Sequence, residues 1–275
     1  MTAPARGSTT WPRALVLLTL SSASCAAPLV RLPVGPGTPA PDAAEVVTLA
    51  TAGCRSITSI TAEVSVSGSV NGRRLRGRLA AGLASPASAR LEAIAPFGPP
   101  LFIFVAVGDD ATLLLPRDQR VLEHGRPDAV LEAIAGVPLD PPGLMAVVTG
   151  CAGSLDAARA RGHGENWRVV PDGSDEVYFQ RESAALPWRL VATVRQADGS
   201  LGWRAEYREF RNGQPTKIRI VSMAQGRFDL KLALSQIDLN TPLGGEVFRV
   251  RIPSSAESIS LTELRDSGPL GANGR

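Results

Sequence analysis

The chain has 275 residues, 44% of them hydrophobic and 20% charged, which is ordinary for a globular protein and enough for one large domain or two small ones. Its formal charge of +3 looks basic, but Arg6 and Arg13 fall in an N-terminal targeting segment, and past residue 24 there remain 27 basic against 26 acidic side chains. That balance gives no support for nucleic-acid binding, and the excess of arginine over lysine, 27 to 2, reads as genome composition rather than a phosphate-binding signal.

Residues 1–24 read as a signal peptide. Arg6 and Arg13 give a positive start, residues 14–20 an apolar core of seven, and residues 21–24 small side chains before Cys25. The apolar run is too short to span a bilayer as a helix. The arrangement resembles a bacterial lipoprotein signal, in which the cysteine is lipidated and becomes the new N-terminus, so Cys25 is the expected lipid anchor. Ser22 departs from the leucine commonest three residues before such a cysteine, and ordinary cleavage nearby, giving a soluble periplasmic protein, is the alternative. Residues 25–41 follow as a tether; from Ala26 to Pro41 they hold five prolines, two glycines and one charge, a composition that stays extended and does not pack.

A domain is expected over residues 42–253, with residues 254–275 a partly disordered C-terminal extension. Asp42 to Arg55 predicts a first helix, with an apolar stripe of Val46, Val47, Leu49 and Ala50. From Ile60 the period becomes two, Asn71-Gly72 signals a hairpin, and Arg74, Arg76 and Arg78 alternate with Leu75, Gly77 and Leu79. Ala89, Leu91, Ala93 and Ala95 alternate with Ser88, Arg90 and Glu92. Leu101 to Val107 is apolar throughout, as expected of a strand covered on both faces. Between these two lies Pro96-Phe97-Gly98-Pro99-Pro100, whose prolines forbid ladder pairing. This loop would present Phe97 to solvent from a stiff turn, unless Phe97 packs under a neighbouring lid.

Strands over 111–115 and 120–123 follow, then two short helices, Asp128 to Ala135 and Gly143 to Thr149, around the bend Val137-Pro-Leu-Asp-Pro-Pro142. After an irregular stretch to Asn166, strands are expected over 167–170, 176–181, 188–196, 201–210, 216–222 and 227–240. One face of nearly every strand is polar, which favours a single curved antiparallel sheet over a sandwich. The fold class is mainly β with a few helices (α+β). Either the helices plug the sheet completely, as close packing would have it, or they cover an aliphatic cavity; periodicity decides neither.

Catalytic groupings are not evident. His124 and His163 lack metal-ligand spacing, with His163 expected in a loop, Gly162-His-Gly164, and both expected to be solvated. No Gly-x-Ser-x-Gly elbow, paired-cysteine motif or phosphate-binding loop occurs. Asp109-Asp110 and Asp175-Glu176 fall in turns or at a strand start, where solvation explains them. No catalytic residue, metal site or cofactor is assigned. Cys54 and Cys151 form an even pair in an oxidising compartment, suggesting a disulfide from the end of the first helix to the end of the third; two separately buried thiols are the alternative.

The order of elements resembles the LolB branch of the LolA/LolB lipoprotein-localisation fold. The local matches are Ala95-Pro-Phe-Gly98, the helix pair with its Gly-x-Pro-Leu bend over residues 127–150, Gly202-Trp-Arg-Ala-Glu-Tyr207 and Pro215-Thr-Lys-Ile-Arg-Ile220. The resemblance covers about residues 42–240. It implies an incomplete antiparallel β-barrel with a helical lid over an apolar cavity that takes lipoprotein acyl chains. The lining would come from Val64, Val66, Leu75, Leu79, Leu91, Ile103, Val105, Leu113, Leu131, Ile134, Leu144, Val148, Trp203, Tyr207, Ile218, Leu230 and Leu232. Pro96, Phe97 and Gly98 would form the membrane-contact loop. It further implies a non-enzymatic monomer, anchored in the outer membrane by Cys25 and facing the periplasm, that receives lipoproteins from a periplasmic LolA-like carrier and assists their insertion. The alternative is a lipid-binding sensory or scaffolding envelope lipoprotein of the same fold without transfer.

Overall fold

The computed structural model describes residues 28–196 and 202–267; the expected signal peptide, the expected anchor Cys25 and Leu201 lie outside the described residues. The described residues from Arg31 onward form one compact unit.

Two-residue alternation produces most of its strands. β1 (Thr38–Pro39) and α1 (Ala43–Thr51) precede the long hairpin of β2 (Ser59–Val70) and β3 (Arg73–Ala84). Asn71 and Gly72 join the two with φ of 49° and 76°, the paired left-handed conformations of a type I′ turn, which matches strand twist. β4 (Ser88–Ile94), β5 (Ile103–Val107), β6 (Asp110–Leu115) and β7 (Arg120–Gly125) continue the meander, and α2 (Pro127–Ala135) and α3 (Pro141–Thr149) interrupt it. The second meander is β8 (Arg161–His163), β9 (Trp167–Asp172), β10 (Asp175–Gln180), β11 (Arg189–Arg195), β12 (Trp203–Arg211), β13 (Gln214–Ser222) and β14 (Phe228–Leu239). β15 (Glu257–Ser258) and α4 (Leu261–Ser267) close the described chain.

Among the described residues, fifteen strands join one open sheet in the order β1-β8-β9-β10-β11-β12-β13-β14-β2-β3-β4-β5-β6-β7-β15. Among these described strands, only β15 runs parallel to its neighbour, β7. The two meanders meet where β14 pairs with β2. At that seam Gly68 has φ +146°, and a Cβ there would lie 1.9 Å from the Asp229 carbonyl oxygen; no other residue fits so close an approach. The inner face is apolar and curves around the helices, an incomplete antiparallel β-barrel.

Local chemistry sets the helix ends. Pro127 starts α2, and Gly136, at φ 74°, ends it by donating its N–H to the Glu132 carbonyl. For α3, Asp140 accepts from the Gly143 N–H at 2.8 Å, and Gly150, at φ 66°, is the C-cap. Asp42 does not cap α1 with its side chain. Its carboxylate instead takes two hydrogen bonds of 2.7 Å from the Arg168 guanidinium, which hold its pKa below the ordinary value.

Several expectations are corrected. The tether does not stay unpacked to its end: Leu32 packs on a small outer cluster of Val169, Tyr178, Ala192 and Val194, Thr38 and Pro39 pair with β8, and Ala40 is buried. Proline tolerates an edge strand, which is why its abundance did not exclude one. His163 ends β8 rather than sitting in a loop, and is only half-exposed. The irregular stretch also contains a short 3₁₀ turn, Ala157–Arg159. The C-terminal segment adds β15 beside β7 and α4 against α2. Asp175 and Glu176 are held by Arg195 and Arg161 rather than by water alone. Leu101 and Val107 are exposed at the two ends of the apolar run, and only its middle is covered on both sides. There Phe104 and Ala106 face the core, while Val105 is buried on the outer face. On that face Arg90, beside Val105 in the register, donates to the carbonyls of Val247 and Arg249 at 2.8 and 2.9 Å, which lays the chain over the outer surface.

Candidate functional site

Beneath α2 and α3 the inner face of β2, β3, β4, β13 and β14 is not filled. A cavity of about 140 Å³ remains, walled almost wholly by aliphatic side chains. Eleven residues picked from the sequence line it: Val64, Val66, Leu75, Leu79, Leu91, Leu131, Ile134, Leu144, Val148, Leu230 and Leu232. Val137 and Leu139, from the bend between the helices, and Ile220 and Phe102 line it as well. A bend has no period from which to infer a buried face, so Val137 and Leu139 could only have been found through their apolarity.

Six sequence candidates lie elsewhere. Ile103 and Val105 oppose Glu92 and Arg90 in the register and so belong to the outer face. An uninterrupted apolar run carries no phase, and the inward set there is Phe104 and Ala106. Leu113 points inward but is buried in solid core, on the strand against which α2 packs. Trp203, Tyr207 and Ile218 are buried in the core of the other half of the sheet, where Trp203 and Tyr207 border a separate, partly polar pocket of about 240 Å³ shared with Asp175, Thr193 and Arg195. Burial pushes the Tyr207 hydroxyl up to about 12.

The cavity wall contains only two ionisable residues, Arg76 and Arg78, on exposed positions of β3. Alternation puts their side chains on the face opposite Leu75, Gly77 and Leu79. The wall can therefore exclude water and contact hydrocarbon but offers no group to hold a proton or a metal. Among the described residues no three His, Cys, Asp or Glu side chains gather as metal ligands would. His124 is exposed beside Asp110. At roughly 30 Å³ per water-sized group, 140 Å³ holds about five methylenes, close to the ~150 Å³ of an engineered apolar cavity that binds benzene.

The Pro96-Phe97-Gly98 loop borders this cavity. Ile94 and Leu101, at its two ends, are wall residues, and Leu101 is partly exposed. Between them Phe97 is 88% exposed. Arg117, from the turn between β6 and β7, donates to the Phe97 carbonyl at 2.7 Å and to the Pro99 carbonyl at 3.4 Å, and Gly98 supplies a φ of 76°. Two hydrogen bonds and three prolines thus hold an exposed aromatic at the cavity rim.

Cys54 and Cys151 are joined by a disulfide with a Cα–Cα distance of 5.6 Å across 97 residues. It fixes the C-terminal end of α3 to the chain after α1. α2 is held by its buried face of Val130, Leu131 and Ile134, by packing against α4 and β6, and by ion pairs from Glu132 to Arg227 and Arg265 at 3.6 and 3.7 Å.

No family model and no curated protein matches the sequence. Solved structures do match. A LolA superfamily protein from Nitrosomonas europaea is similar at 10% identity, with a TM-score of 0.54, over 76% of this chain and 97% of that one. A DUF1329 family protein from Desulfovibrio piger is similar at 8% identity, with a TM-score of 0.52, over 77% and 98%. The fold is therefore LolA-like, an incomplete β-barrel.

Proposed function

We propose that this chain is a LolB-like acceptor of lipoprotein acyl chains, which it takes from a periplasmic LolA-like carrier and passes to the outer membrane without catalysis. The observation that carries the proposal is the aliphatic cavity with Phe97 exposed at its rim. Cys25 is proposed as the lipidated N-terminus, residues 1–24 as the removed signal, and the working form as a monomer facing the periplasm. No helix of the described residues is long and apolar enough to cross a membrane, so in this proposal the lipid supplies the attachment.

The energetics fit this division of labour. Each acyl methylene kept out of water is worth about 0.8 kcal/mol, so a chain in transit needs an apolar wall throughout. One phenylalanine contributes only about 1.5–3 kcal/mol, too little to hold a domain on a bilayer. Cys25 would anchor, and Phe97 would disturb the lipid surface where the chain leaves. A cavity of about five methylenes accepts the end of a chain, so the remainder has to follow as the lid parts.

The test is transfer in vitro. Diacylated lipoprotein loaded on a LolA-like carrier is mixed with the lipidated protein in liposomes, and the cargo is followed into the bilayer. Delivery that depends on the protein is the expected result. Acyl binding without delivery would overturn the transfer step and leave a lipid-binding sensor or scaffold; neither binding nor delivery would remove the acyl role.

A further inference from the structure

The strand at the rim of the cavity is unfinished on one side. β3 pairs with β2 from Arg73 to Ala84, but its pairing with β4 stops at Arg78, opposite Ile94. Among the described residues, β3 from Arg73 to Gly77 has a strand neighbour only on its β2 side. The type I′ turn sets the hydrogen-bond phase. In such a hairpin the flanking pair, Val70 and Arg73, exchanges both bonds, as Leu75 and Gly77 then do with their own partners. Arg74 and Arg76 therefore point their amides and carbonyls away from β2, to the side from which β4 has turned off into the Phe97 loop.

That edge is also the lip of the cavity. Arg76, Gly77 and Arg78 border it together with Leu75 and Leu79. Gly77 has no side chain, and alternation sends those of Arg76 and Arg78 to the other face, so the bordering atoms of this stretch are main chain. Arg73, Arg74, Arg76 and Arg78 are exposed, and no ion pair forms on them among the described residues. Arg74, Arg76 and Arg78 lie opposite Ser69, Ser67 and Ser65 on β2, so no acid faces them in the register, whereas Arg73 lies opposite Val70 and shares a cleft with Glu132 and Asp266.

We propose that the free edge of β3 receives, by strand addition, the extended polypeptide that follows the acylated cysteine of the cargo, with acidic segments preferred over basic ones. The pairing presupposes the acyl acceptor proposed above. Once the lid has parted and the rest of the chain has followed, the cysteine reaches the lip, and at about 3.3 Å per residue the next few residues run beside Arg76 and Arg74. Main-chain bonds read no sequence, which suits an acceptor of many cargoes, and the arginines add the charge preference. Without cargo, the same charges keep the edge from pairing with a second copy.

Two probes test this on the purified protein: a diacylglyceryl-cysteine amide, and the same group extended by an eight-residue acidic peptide. The extended probe should bind about tenfold more tightly, the yield of one or two net hydrogen bonds. Arg76→Pro removes an outward amide without touching the β2 ladder; it should abolish that gain and leave the short probe unchanged. N-methylation of alternate residues in the peptide should abolish the gain on unmodified protein, so the outcome does not depend on how the proline variant folds. A basic peptide should bind more weakly than the acidic one. Equal affinity for the two probes, or a gain that survives both Arg76→Pro and N-methylation, overturns the edge proposal. So does a triple Arg74→Gln, Arg76→Gln, Arg78→Gln variant that loses only its attraction to anionic vesicles, since the arginines would then serve a lipid surface. If neither probe binds, the acyl acceptor itself fails, a different signature from loss of the peptide gain alone.

Discussion

Filling the cavity separates a lipid site from a packing defect. Ala93, on the inner face of β4, is buried and lines the wall, so Ala93→Phe projects a phenyl ring into a space of about 140 Å³. A benzene-sized group occupies nearly all of such a cavity. The substitution should therefore displace about five methylenes of bound hydrocarbon, and at about 0.8 kcal/mol each that is roughly 4 kcal/mol, or about a thousandfold in affinity. The fold should survive, because the added ring enters empty volume; strain of about 1–3 kcal/mol is the upper cost if the wall does not adapt. Displacement of a fluorescent fatty acid, read beside a thermal melt, measures both quantities. A folded Ala93→Phe protein that binds the fatty acid as the wild type does would refute the assignment of this cavity.

Phe97→Glu should leave the melting temperature within about 1 °C and acyl binding intact, since an exposed side chain stabilises little, while slowing delivery to liposomes; unchanged delivery removes the membrane-contact role. Replacing Cys54 and Cys151 together by serine should cost about 2–5 kcal/mol in a denaturant titration, and the mature native protein should gain mass on alkylation only after reduction. Gly68→Ala should cost several kcal/mol, because its Cβ would meet the Asp229 carbonyl oxygen at 1.9 Å; a neutral result would contradict the β14–β2 seam. Asp42 and Asp229 are held below the ordinary carboxylate value by hydrogen bonds from Arg168 and Arg219. Their stabilisation is thus present above about pH 4 and lost as pH falls through the lowered values. The denaturation midpoint should drop over that acid range, and less steeply in Asp42→Asn.

Alternation carried most of the fold. Polar-apolar strands such as β2, β12 and β14 announce their faces, and Asn71-Gly72 and the Pro-start, Gly-stop pattern of α2 mark turns and ends with residues that have few other uses. The site was legible where lining residues sit on such elements: Val64, Val66, Leu79, Leu91, Leu230 and Leu232 all follow the period of their strand. It was illegible where the period fails. Leu101 to Val107 has no phase, which put Ile103 and Val105 on the wrong face. Trp203, Tyr207 and Ile218 point inward as alternation demands, yet whether an inward residue meets a void or a neighbour depends on the long-range approach of α1 and α3. The docking of Leu32 and Thr38 onto the sheet depends equally on contacts more than a hundred residues away in the chain.

The central claim is that hydrocarbon occupies the space under α2 and α3, and photocrosslinking reads that location directly. A diacylated lipopeptide with a diazirine at the end of one acyl chain is bound, irradiated and mapped by mass spectrometry. Adducts on Val66, Leu79, Leu91, Leu131 or Leu144 are the expected result. Adducts confined to the outer face, or none above those on a denatured control, would contradict it.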